Sequence, residues 1–182
     1  MEKPSETELV LRSRQGDTES FGELVRIYQT SVYNVCYRLV GEQREAEDLA
    51  QETFIRAYLR FRSFDPGRPF GPWIRRVAAN LSINRLQVKQ VNSVLLDDER
   101  SDPADLLEGD PQTRLEQTEG SQQLAAAIRS LPPIYRIVIE LNHFQGMSYS
   151  ETAEFLKIPL NDVKSRLFRA RKILLERLKT YE

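Results

Sequence analysis

The stretch Met147–Lys172, MSYSETAEFLKIPLNDVKSRLFRARK, decides the reading of this chain. Ser148 and Glu151 stand in the S-x-x-E order of a capping box, which satisfies exposed N–H groups at a helix start. Ala153 and Leu156 give that helix an apolar face. Lys157-Ile158-Pro159 ends it, because proline disfavours a helical residue before it and cannot donate to the ladder. A second helix is predicted from about Asn161. Val163, Leu167, Ala170 and Leu174 recur at helical spacing and form one buried stripe. Lys164, Ser165, Arg166, Phe168, Arg169, Arg171 and Lys172 occupy the rest of its surface. Two short helices, a tight turn and a cation-rich second helix make a helix-turn-helix of the form that enters a DNA major groove. The competing reading is a helical hairpin whose basic face is only solvated.

Working outward, the 182 residues allow one or two domains. Hydrophobic residues make up 40% and charged residues 29%, which suits a globular protein with a real core. The net charge of −1 excludes a globally basic nucleic-acid binder. The distribution is uneven, however: bases crowd Arg56–Lys89 and Lys157–Lys179, and acids crowd Asp97–Glu119. Cys36 is the single cysteine, so a disulfide framework is excluded, and its apolar surroundings make it a core residue. His143 is the single histidine. Neither a signal pattern nor an apolar run of the roughly 20 residues that span a bilayer is present, so a cytoplasmic location without membrane insertion is expected.

Helices are predicted over Glu6–Arg14 and from Thr18 to about Val40. The second carries the stripe Phe21, Leu24, Val25, Tyr28, Val32, Val35 and Leu39, with Gly41 as its C-cap. The next runs from about Arg44 to Phe61, with Leu49, Thr53, Ala57 and Phe61 on one face. Glu45, Asp48, Gln51, Glu52, Arg56 and Arg60 are expected outside. Phe64–Pro72 contains three prolines and two glycines and reads as a stiff loop. A helix resumes at Trp73, with Ile74, Val77, Ala78 and Leu81 facing a core and Arg75, Arg76, Asn80, Asn84 and Arg85 outside. After about Val91 the sequence turns acidic and loses its period, as a linker does. Beyond it come a helix through Leu124 and Ile128, the break Pro132-Pro133, and a further helix closed by Gly146. The fold class is all-α: two helical domains, 1–92 and 119–182, joined by an acidic flexible linker, 93–118.

The motifs of nucleotide binding, zinc proteases and serine hydrolases are absent, and one His with one Cys supplies neither a triad nor a metal centre. No cofactor and no metal are expected, and the chain is read as a binder rather than an enzyme. On the second helix of the helix-turn-helix, arginine can read guanine bidentately and serine is permissive. Phe168 either touches a thymine methyl or covers the adjacent helix. The loop Phe64–Pro72 with Asn80 offers aromatic and amide groups suited to unstacked bases. Phe64 and Phe70 are equally suited to plug a core under that loop.

AEDLAQETFIRAY (Ala46–Tyr58) followed by FGPWIRRVAANLSINRL (Phe70–Leu86) resembles region 2 of the extracytoplasmic-function (group 4) RNA polymerase sigma factors. LPPIYRIVIELNHFQGMSYSETAEFLKIPLNDVKSRLFRARKILLERL (Leu131–Leu178) resembles their region 4. The resemblance implies that Asp48, Leu49, Gln51, Glu52 and Phe54 dock on the clamp helices of the polymerase β′ subunit. It implies that Phe64, Arg68, Trp73, Arg76 and Asn80 melt the −10 element and capture a flipped base. It further implies that Lys164, Ser165, Phe168, Arg169 and Arg171 read the −35 element, with region 4 on the β flap. The linker would thread toward the RNA exit path, and an anti-sigma factor would be a partner. The chain departs from the family pattern at Asn84 and Gln87, which thins the basic tail of the −10 helix. It departs again at Asn161-Asp162, where Gly-Thr is usual and an acid now lies near DNA phosphate. The alternative from another class is a stand-alone dimeric helix-turn-helix regulator.

Overall fold

Polar side chains at the expected breaks start the helices. In this computed structural model, which describes residues 4–95 and 119–179, Ser5 accepts from the Glu8 N–H at the start of α1 (Glu6–Arg14). Asp17 accepts from the Glu19 and Ser20 N–H groups at the start of α2 (Thr18–Val40), and Glu42 does the same for Arg44 and Glu45 at α3 (Gln43–Arg60). Gly41 ends α2 in the left-handed region, φ 78°, as a C-cap glycine does. A one-turn 3-10 segment, Phe61–Ser63, follows α3. The described residues form helices and no strand. Among them no helix is long and apolar enough to cross a membrane.

The sequence stripes are the core. Leu24, Val32, Val35 and Leu39 of α2 meet Leu49, Thr53 and Ala57 of α3, and all are buried. Buried Thr53 donates to the Leu49 carbonyl at 2.7 Å and Ser82 to that of Ala78 at 2.9 Å, so neither hydroxyl is left without a partner. Cys36 is fully buried, and burial pushes its thiol up to about 11.

Two expectations need correction here. The helix α4 (Phe70–Leu95) begins three residues before Trp73 and runs past residue 92. Pro72 falls in its first turn, where a missing N–H removes no helical hydrogen bond. The Phe70 N–H instead donates to the carboxylate of Glu6, 64 residues away, at 3.2 Å. Tyr28 donates to the same carboxylate, and burial followed by that acid raises its phenol to about 12. A Cβ on Gly71 would lie 2.7 Å from the Tyr28 ring, so only glycine lets α4 start this close to α2. Secondly, Glu45 is not on the exposed side. It is buried and faces Lys89 at 2.5 Å and Arg85 at 3.6 Å, which pin the far half of α4 to α3.

The second unit comprises α5 (Glu119–Arg129), α6 (Pro133–Ile139), α7 (Tyr149–Leu156) and α8 (Leu160–Lys179). Pro133 opens α6, and α6 continues into a π-helical turn over Glu140–Phe144 that the sequence does not announce. Val163, Leu167, Ala170 and Leu174 of α8 pack with Ala127, Ile128, Leu131 and Val138. The acidic linker lies outside the described residues from 96 to 118. Leu167→Ala removes a fully buried side chain from this small core. We expect a loss of about 2–5 kcal/mol, read as a lower denaturant midpoint for the second unit.

Candidate nucleic-acid interface

The helix-turn-helix is built as its residues require. Ser148 accepts from the Glu151 N–H at 3.1 Å, and Glu151 accepts from the Ser148 N–H at 2.8 Å, so both halves of the capping box are made. Lys157 turns the chain in the left-handed region, φ 54°, and Pro159 precedes α8. With the apolar stripe of α8 inward, Lys164, Ser165, Phe168, Arg169 and Arg171 all lie on its exposed side. Phe168 is 70% exposed and covers no neighbouring helix. Arg171 donates to the Tyr149 hydroxyl at 3.3 Å, bridging the two helices of the motif. The surface is therefore a cationic, hydroxyl-bearing helix with one free aromatic face, suited to a major groove.

A second surface lies on α4. Arg76, Asn80 and Asn84 are exposed at successive four-residue steps, so they form one polar line along the helix. Arg68 is exposed in the loop before it, where its 3.7 Å contact with Asp65 is open to solvent and weak. Trp73 is half-buried. Phe64 does not join this surface. Only 3% exposed, it sits 4.7 Å from the Trp73 ring and 5.8 Å from Phe70, edge to face, and plugs the core under the loop. A ring held there offers no face to a base.

A groove of about 490 Å³ runs between α2 and α3. Gln51 and Phe54 line it from α3, together with Ala50. Asp48 is exposed, and Glu52 pairs with Arg56 at 2.5 Å. Leu49 is 1% exposed and belongs to the core, so it supports this surface from beneath rather than forming it. The other wall is Gln29, Tyr33 and Asn34 of α2. Sequence reasoning named none of these, because they lie beside the apolar stripe of α2 rather than on it. The signal was the i, i+4 pair Gln29–Tyr33 flanking that stripe, with Tyr33 partly buried against the core. Next to the groove, Ile55 and Leu59 are 60% and 75% exposed around Phe54 and Tyr58. Such a run of large apolar side chains is the kind of patch that a protein partner covers. Among the described residues no group of His, Cys and carboxylates could hold a metal ion.

Two helical units, one bearing a helix-turn-helix and the other a polar helix face beside an apolar groove, have the layout of a transcription initiation factor. Residues 24–90 match the family described as Sigma-70 region 2, and residues 121–174 match Sigma-70, region 4. The chain is 37% identical to the ECF RNA polymerase sigma factor SigW of Bacillus subtilis over 174 residues, covering 91% of this chain and 92% of that one. It is 32% identical to the ECF RNA polymerase sigma-E factor of Haemophilus influenzae, covering 95% of each. The fold is that of the sigma factor RpoE of Bartonella quintana, solved in complex with the anti-sigma factor NepR, at TM-score 0.60 and 23% identity over 88% of this chain and 98% of that one. The chain belongs to the extracytoplasmic-function RNA polymerase sigma factors of the sigma-70 family, the factors that direct transcription initiation.

The capping box predicts a titration. Hydrogen bonds from the Ser148 backbone and side chain hold the Glu151 carboxyl below its ordinary value. A depressed carboxyl contributes stability above its unfolded pKa and loses it as pH falls through the folded one. Ser148→Ala removes the side-chain bond but keeps the backbone N–H, the larger cause, so it should raise the Glu151 carboxyl, followed by NMR, only part of the way toward 4.5. The acid-side loss of α7 helicity should move with it.

Proposed function

We propose that the chain docks on core RNA polymerase through the α2–α3 groove and carries it to a subset of promoters by two separate DNA contacts. Asp48, Gln51, Glu52 and Phe54, with Gln29, Tyr33 and Asn34 opposite, meet the β′ clamp helices. Arg68, Trp73, Arg76 and Asn80 engage the opened −10 strand, while Phe64 and Leu49 hold the scaffold behind these surfaces. Lys164, Ser165, Phe168, Arg169 and Arg171 read the −35 element, with the second unit seated on the β flap. The observation that carries this reading is that the exposed polar and aromatic side chains gather on α4 and α8, on separate units, while the apolar groove lies apart from both. Protein docks on one face and nucleic acid on the others.

Charge supports the division of labour. Phosphate neutralisation supplies most DNA affinity, and a chain of net charge −1 has little to spend on it. Affinity then comes from the polymerase, and α8 supplies sequence preference. The factor acts by binding, with no catalytic step of its own, in the cytoplasm where polymerase and chromosome meet. The complex of the Bartonella relative supports an anti-sigma factor as a further partner.

The test is run-off transcription with core enzyme on a promoter library. Specific transcripts should appear only when both chain and core are present. A tight footprint on a palindromic operator without core would establish the stand-alone dimeric regulator instead. Phe54→Ala and Asp48→Ala should each weaken core binding, measured by titration against labelled core, without altering −35 preference. Arg169→Ala should cost about 1–3 kcal/mol at one −35 position and relax preference there. A loss that is uniform across sequences would make Arg169 a phosphate contact.

A further inference from the structure

The first helix is tied to both ends of the loop that precedes α4. Glu6 is the first residue of α1 and Arg14 the last. The Glu6 carboxylate accepts from the Phe70 N–H at 3.2 Å, and Arg14 Nη2 donates to the Arg62 carbonyl at 3.3 Å. Between these anchors Asp65, Gly67, Arg68 and Pro69 are exposed, while Phe64 and Phe70 are buried in the core. The loop's own turn is small. The Asp65 carbonyl accepts from the Arg68 N–H at 3.0 Å, and its carboxylate accepts from the Gly67 N–H at 2.9 Å.

Both contacts reach backbone groups, so they fix the path of the chain whatever side chains the loop carries. The Phe70 N–H is one of the donors that a helix start leaves without an intrahelical partner. A local N-cap would satisfy such a donor, but the residue before Phe70 is Pro69, whose side chain has no acceptor. Glu6 supplies the acceptor from 64 residues away, and its acid lies at the positive end of the α4 dipole. The carboxylate is itself held on a second side by the Tyr28 hydroxyl. Leu9 and Val10 bury α1 in the core, so the anchor does not drift.

Resting on the reading of α4 as the −10 surface, we propose that α1 is a brace across this loop, with Glu6 and Arg14 as positioning residues that hold the loop and the start of α4 in the pose that receives an unstacked base. Neither residue touches the nucleic acid. Without the brace the loop samples other shapes, and apparent affinity for the opened strand falls with the fraction in the binding pose. Duplex reading by α8 and docking through the α2–α3 groove do not depend on it.

The test uses the full chain bound to core polymerase and a promoter that the parent selects from the library. Two labelled probes are compared: a fork whose −10 strand is single-stranded, and a fully duplex −35 fragment. Glu6→Ala should weaken fork binding roughly fivefold, the effect of one lost hydrogen bond, and Arg14→Met, whose contact is exposed, about twofold. Glu6→Gln keeps an acceptor for the Phe70 N–H and should stay within about twofold of the parent. Neither the −35 probe nor titration against core should distinguish the four proteins. Unchanged fork binding in Glu6→Ala and Arg14→Met would overturn the brace. So would equal losses on both probes, the mark of a destabilised fold, or a Glu6→Gln variant as weak as Glu6→Ala, which would leave the acid a charge for α1 alone. Amide exchange on the free chain judges the brace without DNA: the Phe70 N–H should exchange faster in Glu6→Ala than in the parent. No change in that exchange would sink the brace alone. A faster exchange, with a parent that gains nothing from the single strand, would sink the −10 reading instead.

Discussion

Four aromatic rings closing on one another at the α3–α4 corner set the pose of everything that the first unit presents. Phe61, Phe64, Phe70 and Trp73 lie within 4.7 to 6.3 Å of one another, and Phe21 of α2 adds an edge contact to Phe61 at 5.4 Å. Asp65-Pro66-Gly67-Arg68-Pro69 has little backbone hydrogen bonding of its own and cannot hold a shape by a ladder. Burying rings on both sides of it fixes the loop instead, with rings in tilted and edge-on poses that aromatic quadrupoles favour. The direction of α4 follows from that plug, and with it the line Arg76–Asn80–Asn84. The core and the candidate −10 surface are two sides of one packing problem. This is why Phe64, which looks like a base-stacking ring in the sequence, does its work facing inward.

What was legible in the sequence was whatever is decided within one helical turn or along one helix face. The box Ser148–Glu151, the C-cap Gly41 and the stripe Val163–Leu167–Ala170–Leu174 all lie where the pattern put them. What escaped was decided by partners far away in the chain. The early start of α4 needs Glu6 to accept from Phe70, and nothing near Phe70 announces it. Glu45 reads as a surface acid because its own helix cannot show that Lys89 and Arg85 will come to meet it. The α2 wall of the groove exists only once α3 packs alongside. Local grammar specifies elements; surfaces assembled from two elements need the fold.

The acids settle a question that the total charge leaves open. Glu45 and Glu140 are spent inside the protein, each facing arginine or lysine from another helix. The bases of α8 are largely exposed, while Arg171 bonds to the Tyr149 hydroxyl and Arg177 to the Ser130 hydroxyl. A chain that is neutral as a whole therefore still presents a cationic recognition helix. The exposed acid Glu47 of α3 lines the groove, with Asp48 exposed next to it in the chain, and gives this side the opposite character. Two surfaces of unlike charge discourage either ligand from occupying the other's place, since like-charge juxtaposition is costly at an interface.

The joint between the units adds an ion pair to apolar packing of the kind found inside them. Each core is a continuous set of apolar stripes, stabilised by area removed from water. The joint also buries Leu141 and Met147 against the first core and adds the Arg38–Glu140 ion pair, whose Glu140 side chain is 2% exposed. Desolvating two charges offsets most of their attraction, so such a pair fixes a geometry more than it adds net stability. Removing one partner is nonetheless costly, because the other is left buried and unpaired.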